Sequence, residues 1–216
     1  MLIDLSHEIE HGMVTYPGLP APSISDHLSR ETSRERYGGQ AEFHIGRIDM
    51  VANTGTYLDA PSHRWEEGPD LAGLPLERLA FLRGVRVPLH ERALTAAHLA
   101  ALDLRGAALL VHTGWSRHWR TDDYGRADHP YVSREAAEFL ARSGVALVGI
   151  DSVNIDDMAD LSRPAHTILL RAGIPIVEHL TNLEALEGPF TFFAVPAPVR
   201  GMGTFPVRAF ASASTG

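Results

Sequence analysis

Three short apolar runs constrain this chain more than any other feature: Ala107–Val111, Val145–Ile150 and Ile174–Glu178, the last closing on an acid. Four to six apolar residues bounded by polar groups suit a strand buried on both faces. Helix signals stand between the later runs. Ser133 caps one helix that Gly144 closes in the C′ position, and Pro164 opens another that Gly173 stops, so His166 rides its first turn. Thr95 caps a helix through Leu102, and Thr181-Asn-Leu-Glu184 reads as a capping box opening a short helix. Further strands are expected at Leu2–Ser6, Val85–Leu89, Phe190–Val195 and Pro206–Phe210, with Glu42–Ala52 extended. Strands dominate and helices separate only some of them. The expectation is a mixed α/β domain, not a doubly wound sheet, and no glycine-rich phosphate loop follows any strand.

A chain of 216 residues suits one domain. We place it at residues 1–210, with 211–216 (Ala-Ser-Ala-Ser-Thr-Gly) as a flexible tail. Residues 17–41 are rich in Pro, Gly, Ser and charge, and a loop of that length reads as a lid over a site. Cysteine is absent, and all 19 basic side chains are arginine. That excludes disulfides, thiolate chemistry, cysteine-bound metals, Schiff-base lysines and the usual phosphate-loop lysine. Chemistry must come from 12 histidines and 27 carboxylates. A net charge of −8 argues against nucleic acid as a partner. No apolar stretch reaches the roughly 20 residues of a membrane span, and the first residues lack signal-peptide character, so a cytoplasmic setting is expected.

Asp59 and His63 stand four apart around Pro61, a rigid turn that presents a carboxylate and an imidazole together. His166 and Glu178 lie one helix and one turn apart. Residues 149–156 (Gly-Ile-Asp-Ser-Val-Asn-Ile-Asp) end a buried strand in polar groups, where ligands tend to bind. These clusters point to metal or acid/base work. His112, Trp115 and Trp119 read either as an aromatic wall for a planar substrate or as a plug of buried indoles. His7 reads as structural, and His11, His27, His90, His98, His118, His129 and His179 as surface or scaffold residues.

With Asp4-Leu-Ser-His7, Tyr16-Pro-Gly18, Gly55-Thr-Tyr-Leu-Asp-Ala-Pro-Ser-His63, His112-Thr-Gly-Trp115, Gly149-Ile-Asp-Ser152, and His166 followed by Ile-Pro-Ile-Val-Glu178, the chain resembles the cyclase family along nearly its whole length. That family includes bacterial kynurenine formamidases and isatin hydrolases. The resemblance implies a single mixed-sheet domain of the swivelling β/β/α type. It also implies a hydrolase that opens a C–N or cyclic C–O bond in a small carbonyl compound. By the same resemblance the default substrate is N-formylkynurenine, an arylformamidase step of tryptophan catabolism, and the assembly a homodimer or homotetramer. The family signature His-x-Gly-x-His-x-Asp-x-Pro-x-His binds a divalent metal, often zinc or manganese, through its first two histidines and its aspartate. Its last histidine is the acid/base, and a later histidine and glutamate complete the site. Carried over, Asp59, His166 and Glu178 are the metal candidates and His63 the acid/base; Tyr16, Trp115 and Asn53 are expected to touch substrate. The two metal-binding histidines are missing. Asn53 and Tyr57 stand in their places.

An amide oxygen is a weak ligand, and a phenol with an ordinary pKa of about 10 must first lose its proton. A retained metal should bind more weakly and drift from zinc toward manganese or magnesium. His44 on the adjoining strand is a candidate replacement, but a strand histidine beside Phe43 and Ile45 is more often packed or hydrogen-bonded. Without metal, Asp59 and Glu178 would share a proton beside His63 as general acid and base, with Tyr57 donating to a substrate oxygen. That reading allows a lyase, lactonase or cyclase. A non-catalytic small-molecule binder is the third reading.

Overall fold

The computed structural model describes residues 1–213. Its strands are β1 (Leu2–Asp4), β2 (Ser23–Leu28), β3 (Ile45–Asp49), β4 (Tyr57–Asp59), β5 (Leu82–Pro88), β6 (Ala93–Leu94), β7 (Ala107–His112), β8 (Tyr131–Val132), β9 (Leu147–Ile150), β10 (Ile176–Glu178), β11 (Phe190–Phe193), β12 (Thr204–Pro206) and β13 (Phe210–Ala213). The helices are α1 (Arg30–Arg36), α2 (Ala96–Leu99), α3 (Arg134–Ser143) and α4 (Pro164–Arg171). Nine strands form one mixed sheet in the order β1-β13-β11-β5-β7-β9-β10-β4-β12. The three apolar runs supply β7, β9 and β10, which with β5 make its parallel centre. Antiparallel strands extend both edges. The mixed α/β expectation holds.

Alternation divides the interior in two. Leu58, Leu110, Leu147 and Val177 face one core, closed by Phe190 and Phe192 from the C-terminal strands. Leu109, Val148, Ile150 and Ile176 face the other, covered by α3 and α4 through Leu140, Ala165 and Leu169. Gly144 ends α3 at φ 77°, as the sequence predicted. The chemistry lies on the helical side.

Several local expectations are corrected. The helix at Thr95 stops at Leu99, although its capping box forms with His98. Asn182, not Thr181, precedes a single 3₁₀ turn at Leu183–Ala185, and no side chain caps it. The expected strand at Pro206–Phe210 is two strands, β12 and β13, joined by residues 207–209. Residues 211–213 are not tail but part of β13, pairing with β1 and β11; residues 214–216 lie outside the described residues. Within 17–41 the chain forms β2 and α1, with Ser29 capping the helix. β2 pairs with β3 in a two-stranded hairpin whose strands, Leu28 apart, are exposed on both faces. No helix among the described residues is long and apolar enough to cross a membrane.

Candidate active site

Register builds the site. In β4, Tyr57 pairs with Glu178 of β10 and Asp59 pairs with Ile176; on the other side Asp59 pairs with Thr204 of β12. Directly opposed residues share a face, as do residues two apart, so Tyr57, Asp59, Glu178 and Thr204 all point toward α4. Pro61 then starts a 3₁₀ turn that carries His63 past the end of β4. From the helical layer, His166 in the first turn of α4 completes the group. Its Nε2 lies 3.6 Å from Asp59 Oδ2 and 3.7 Å from Glu178 Oε1.

Asp156 aims that ring. One oxygen accepts from Ala165 N (2.5 Å), and the other accepts from His166 N (3.1 Å) and from His166 Nδ1 (2.7 Å). A side chain outside the helix thus caps α4, whose own N-cap, Arg163, sits in the left-handed region at φ 48°. With Nδ1 donating to a carboxylate, Nε2 is turned on Asp59 and Glu178. On the other side, the Thr204 hydroxyl donates to Asp59 Oδ1 (2.5 Å) and lies 2.7 Å from His63 Nδ1. Glu178 Oε1 accepts from Ile155 N (2.6 Å) and Oε2 from the Tyr57 hydroxyl (2.7 Å).

These groups are fully buried except His63, whose side chain keeps 35% of its exposure. Tyr57, His63, His166 and Glu178 line a cavity of about 460 Å³ with Tyr16, Leu19, Asn53, Arg64, Asn154 and Arg163 among its walls, and Asp59 lies behind His63 and His166. Burial drives the Glu178 carboxyl up to about 7 against the pull of His166. Burial alone would lower His166, but Glu178, Asp156 and Asp59 around it hold it protonated up to about 10. Asp59 is also penalised by burial, yet His166 and His63 beside it keep it below the usual carboxylate range. Tyr57 is pushed well above the phenol range by burial and by Glu178 and Asp59.

Do these residues fit a divalent cation? Asp59 Oδ2 is a buried carboxylate oxygen with no hydrogen-bond partner. Donors on one cation, each at about 2.0–2.2 Å, stand roughly 3.4 Å apart, close to the separations between His166 Nε2 and its two carboxylate oxygens. Donor atoms of Asp59, His63 and His166 also lie within 4.8 Å of one another. Asp59 and His166 therefore suit a cation, with His63 or Glu178 as third donor, and the Asp156–His166 pair is the support a metal-bound imidazole usually has.

Of the expected site residues, Asp59, His63, His166, Glu178, Tyr57, Asn53 and Tyr16 converge. Two expectations are corrected. Trp115 does not line the cavity: it is buried against Tyr124 and Val153, and its indole N–H donates to the Tyr124 carbonyl (2.9 Å). Tyr57 does not offer its proton to a substrate oxygen, because Glu178 takes it. His44 is no substitute ligand; it pairs with Asp26 in the exposed hairpin. Asp151 finishes its strand by accepting from Thr113 and Gly114. His7 stacks on Trp119 at 4.0 Å behind the site. Sequence reasoning missed Thr204 entirely and placed His179 with the scaffold, yet that ring is buried 3.2 Å from the Tyr57 hydroxyl. Its position directly after Glu178 was the only available signal.

Comparison with known proteins places the fold. A kynurenine formamidase from Geobacillus thermodenitrificans is 29% identical over 211 residues, covering 96% of this chain and 95% of that protein. A predicted metal-dependent hydrolase from Bacillus stearothermophilus superposes with a TM-score of 0.77 at 27% identity, over 98% of this chain and 97% of that one. Isatin hydrolase A from Labrenzia aggregata carries the same fold, with a TM-score of 0.82 at 24% identity, over 98% of this chain and 93% of that one. Residues 3–157 match the model of the Cyclase family, and the chain belongs to that family.

Proposed function

We propose that the cavity hydrolyses the C–N bond of a small formyl- or acylamide, an arylformamidase-type reaction. The kynurenine formamidase and isatin hydrolase relatives support a hydrolase acting on small amide or formyl compounds. The observation that carries the reading is the convergence of Asp59, His63 and His166 at the edge of one cavity, with His63 the most exposed of the three. Thr204 holds His63 by Nδ1, which leaves Nε2 to take a proton from water as it adds to the carbonyl carbon. The same nitrogen then returns the proton to the departing amine as the C–N bond breaks, giving a carboxylic acid and an amine. Asp59, His166 and Glu178 would hold a divalent cation, which would supply Lewis-acid polarisation of the carbonyl. The oxygen-rich donor set favours manganese over zinc.

The test pairs metal analysis with kinetics. Protein loaded with manganese or zinc should retain close to one ion per chain and cleave N-formylkynurenine or formanilide. His63→Ala should lower kcat by about 10²–10⁴-fold while substrate still binds. Near-zero metal occupancy would favour a metal-free reaction instead, for which one feature speaks: the His166 ring stands 3.6 Å from Asp59 and 3.7 Å from Glu178, and when protonated it offsets part of their charge without a cation. Unaltered turnover in His63→Ala would refute both.

The same reading includes a homodimer and a cytoplasmic setting. A two-stranded hairpin is marginal by itself, yet β2 and β3 leave Ile24, Ile45 and Ile48 exposed. A second copy supplies the missing cover. Light scattering should give a dimer, and Ile24→Asp with Ile48→Asp a folded monomer; a monomeric wild type would remove the proposal.

A further inference from the structure

We infer that His179 and Tyr124 are positioning residues for Glu178 and act on it through Tyr57. Their role in turnover rests on the hydrolase reading above; the brace itself rests on geometry. Glu178 Oε2 accepts from Tyr57 Oη at 2.7 Å, Tyr57 Oη lies 3.2 Å from His179 Nε2, and His179 Nδ1 lies 2.7 Å from Tyr124 Oη. Each phenol has one proton, and an ionised carboxylate only accepts. The Tyr57 proton therefore points at Glu178. Its oxygen then accepts from His179, so Nε2 carries the ring proton and Nδ1 accepts from Tyr124. All three protons point one way.

Little of this chain is open to water: Tyr57, Tyr124, His179 and Glu178 are 3%, 4%, 0% and 1% exposed, and only Tyr57 and Glu178 edge the cavity. Donors and acceptors buried so completely must satisfy one another, and a broken link leaves a polar atom stranded. The backbone bears a cost to place the ring. His179 sits at φ 57°, in the left-handed region that few residues other than glycine occupy, although histidine enters it more readily than most. Its carbonyl is held by the Thr56 hydroxyl at 2.6 Å, and Trp119 packs edge-on against the imidazole with centroids 5.9 Å apart. Packing alone does not require this; an apolar ring would fill the same space. The brace has a definite product. Glu178 is gripped at Oε2 by Tyr57 and at Oε1 by Ile155 N, which fixes the carboxylate plane so that Oε1 also faces His166 Nε2. Where the signature would place a metal-binding histidine, Tyr57 aims another ligand instead.

The experiment is a double-mutant cycle on the full chain at pH 8, read in three ways. Tyr124→Phe keeps the ring against Trp119 and removes only the first proton; Tyr57→Phe removes the last. Tyr57→Phe should lower kcat about tenfold to a hundredfold, with KM held. Tyr124→Phe should lower kcat by a smaller factor, and the double variant should be no worse than Tyr57→Phe alone, because Tyr124 acts through Tyr57. The same pattern should appear in manganese affinity by calorimetry. In the wild type, ¹⁵N spectra of the side chain should show His179 as the Nε2–H tautomer. Multiplying effects, a wild-type kcat in Tyr124→Phe, or an Nδ1–H tautomer in the wild type would each overturn the brace. If no formamide is turned over, the hydrolase reading fails, while manganese affinity and tautomer still decide the brace. If Tyr57→Phe does not fold, the wild-type tautomer and Tyr124→Phe decide it.

Discussion

Thr204 decides which nitrogen of His63 works. Its single hydroxyl proton goes to Asp59 Oδ1 at 2.5 Å, so its oxygen accepts from His63 Nδ1–H at 2.7 Å, and Nε2 keeps its lone pair. Thr204→Val conserves shape and removes both bonds. It should lower kcat about tenfold to a hundredfold with little change in KM, whereas Thr204→Ser should restore most of the rate; steady-state kinetics on the three proteins would show it. Arg64 and Arg163 act at a different point of the same cavity. Neither guanidinium has a carboxylate partner among the described residues: Arg64 Nε donates to Thr167 Oγ1 (3.3 Å) and Arg163 Nη1 to the Asp157 carbonyl (3.4 Å). They suit a substrate bearing a carboxylate away from the scissile bond. Arg163→Met should raise KM for such a substrate by about tenfold and leave KM for formanilide, which has no carboxylate, unchanged.

The elements matter through register and close approach. A one-residue slip of β4 would turn Leu58 toward α4 and send Tyr57 and Asp59 into the opposite core. At the outer edge, Gly203 lets β12 reach the His63 turn: a Cβ there would stand 2.4 Å from His63 N and 2.5 Å from its Cα, with backbone that has no room to yield. Gly203→Ala should push β12 from the turn, cost about 1–3 kcal/mol of stability and cut kcat as Thr204→Val does; denaturant melts with kinetics would test both. This geometry marks the limit of what the sequence displays. His166 was legible because Pro164 and Gly173 fix its helix locally. Glu178 was legible because it ends an apolar run, and Asp59 and His63 because they share one motif. Thr204 was not, since it meets Asp59 across 145 positions and looks like any loop threonine. His179 and Tyr124 escaped for the same reason, meeting across 55 positions. The hairpin of β2 and β3 lacks the apolar alternation that a half-buried strand shows, because apart from Leu28 neither of its faces is covered within the chain.

Over the whole molecule, buried charge sets a pH window for stability, and a cation should widen it on one side only. Without metal, Glu178 rises from 4.5 to about 7 and His166 from 6.5 to about 10, so the folded chain holds these protons more tightly than the unfolded one. Their contribution is complete at low pH. It is lost as pH rises, through 4.5 to 7 for Glu178 and 6.5 to 10 for His166. Burial has the opposite result at His7 and His179, held down to about 4 and about 3. Below 6.5 the unfolded chain takes up protons that these folded rings refuse, so stability falls as pH drops toward those values. Chelated protein should therefore melt highest near pH 6 and lower on both sides. Manganese replaces protons among Asp59, His166 and Glu178, and at a hundred times its Kd it should add about 2.7 kcal/mol. Because it competes with those protons, the gain should be larger at pH 8 than at pH 6. The acid side, governed by His7 and His179, should keep its slope. Melting curves from pH 4 to 9, with chelator and with manganese, would measure both limbs. An alkaline limb that manganese leaves in place would remove the cation from these three residues.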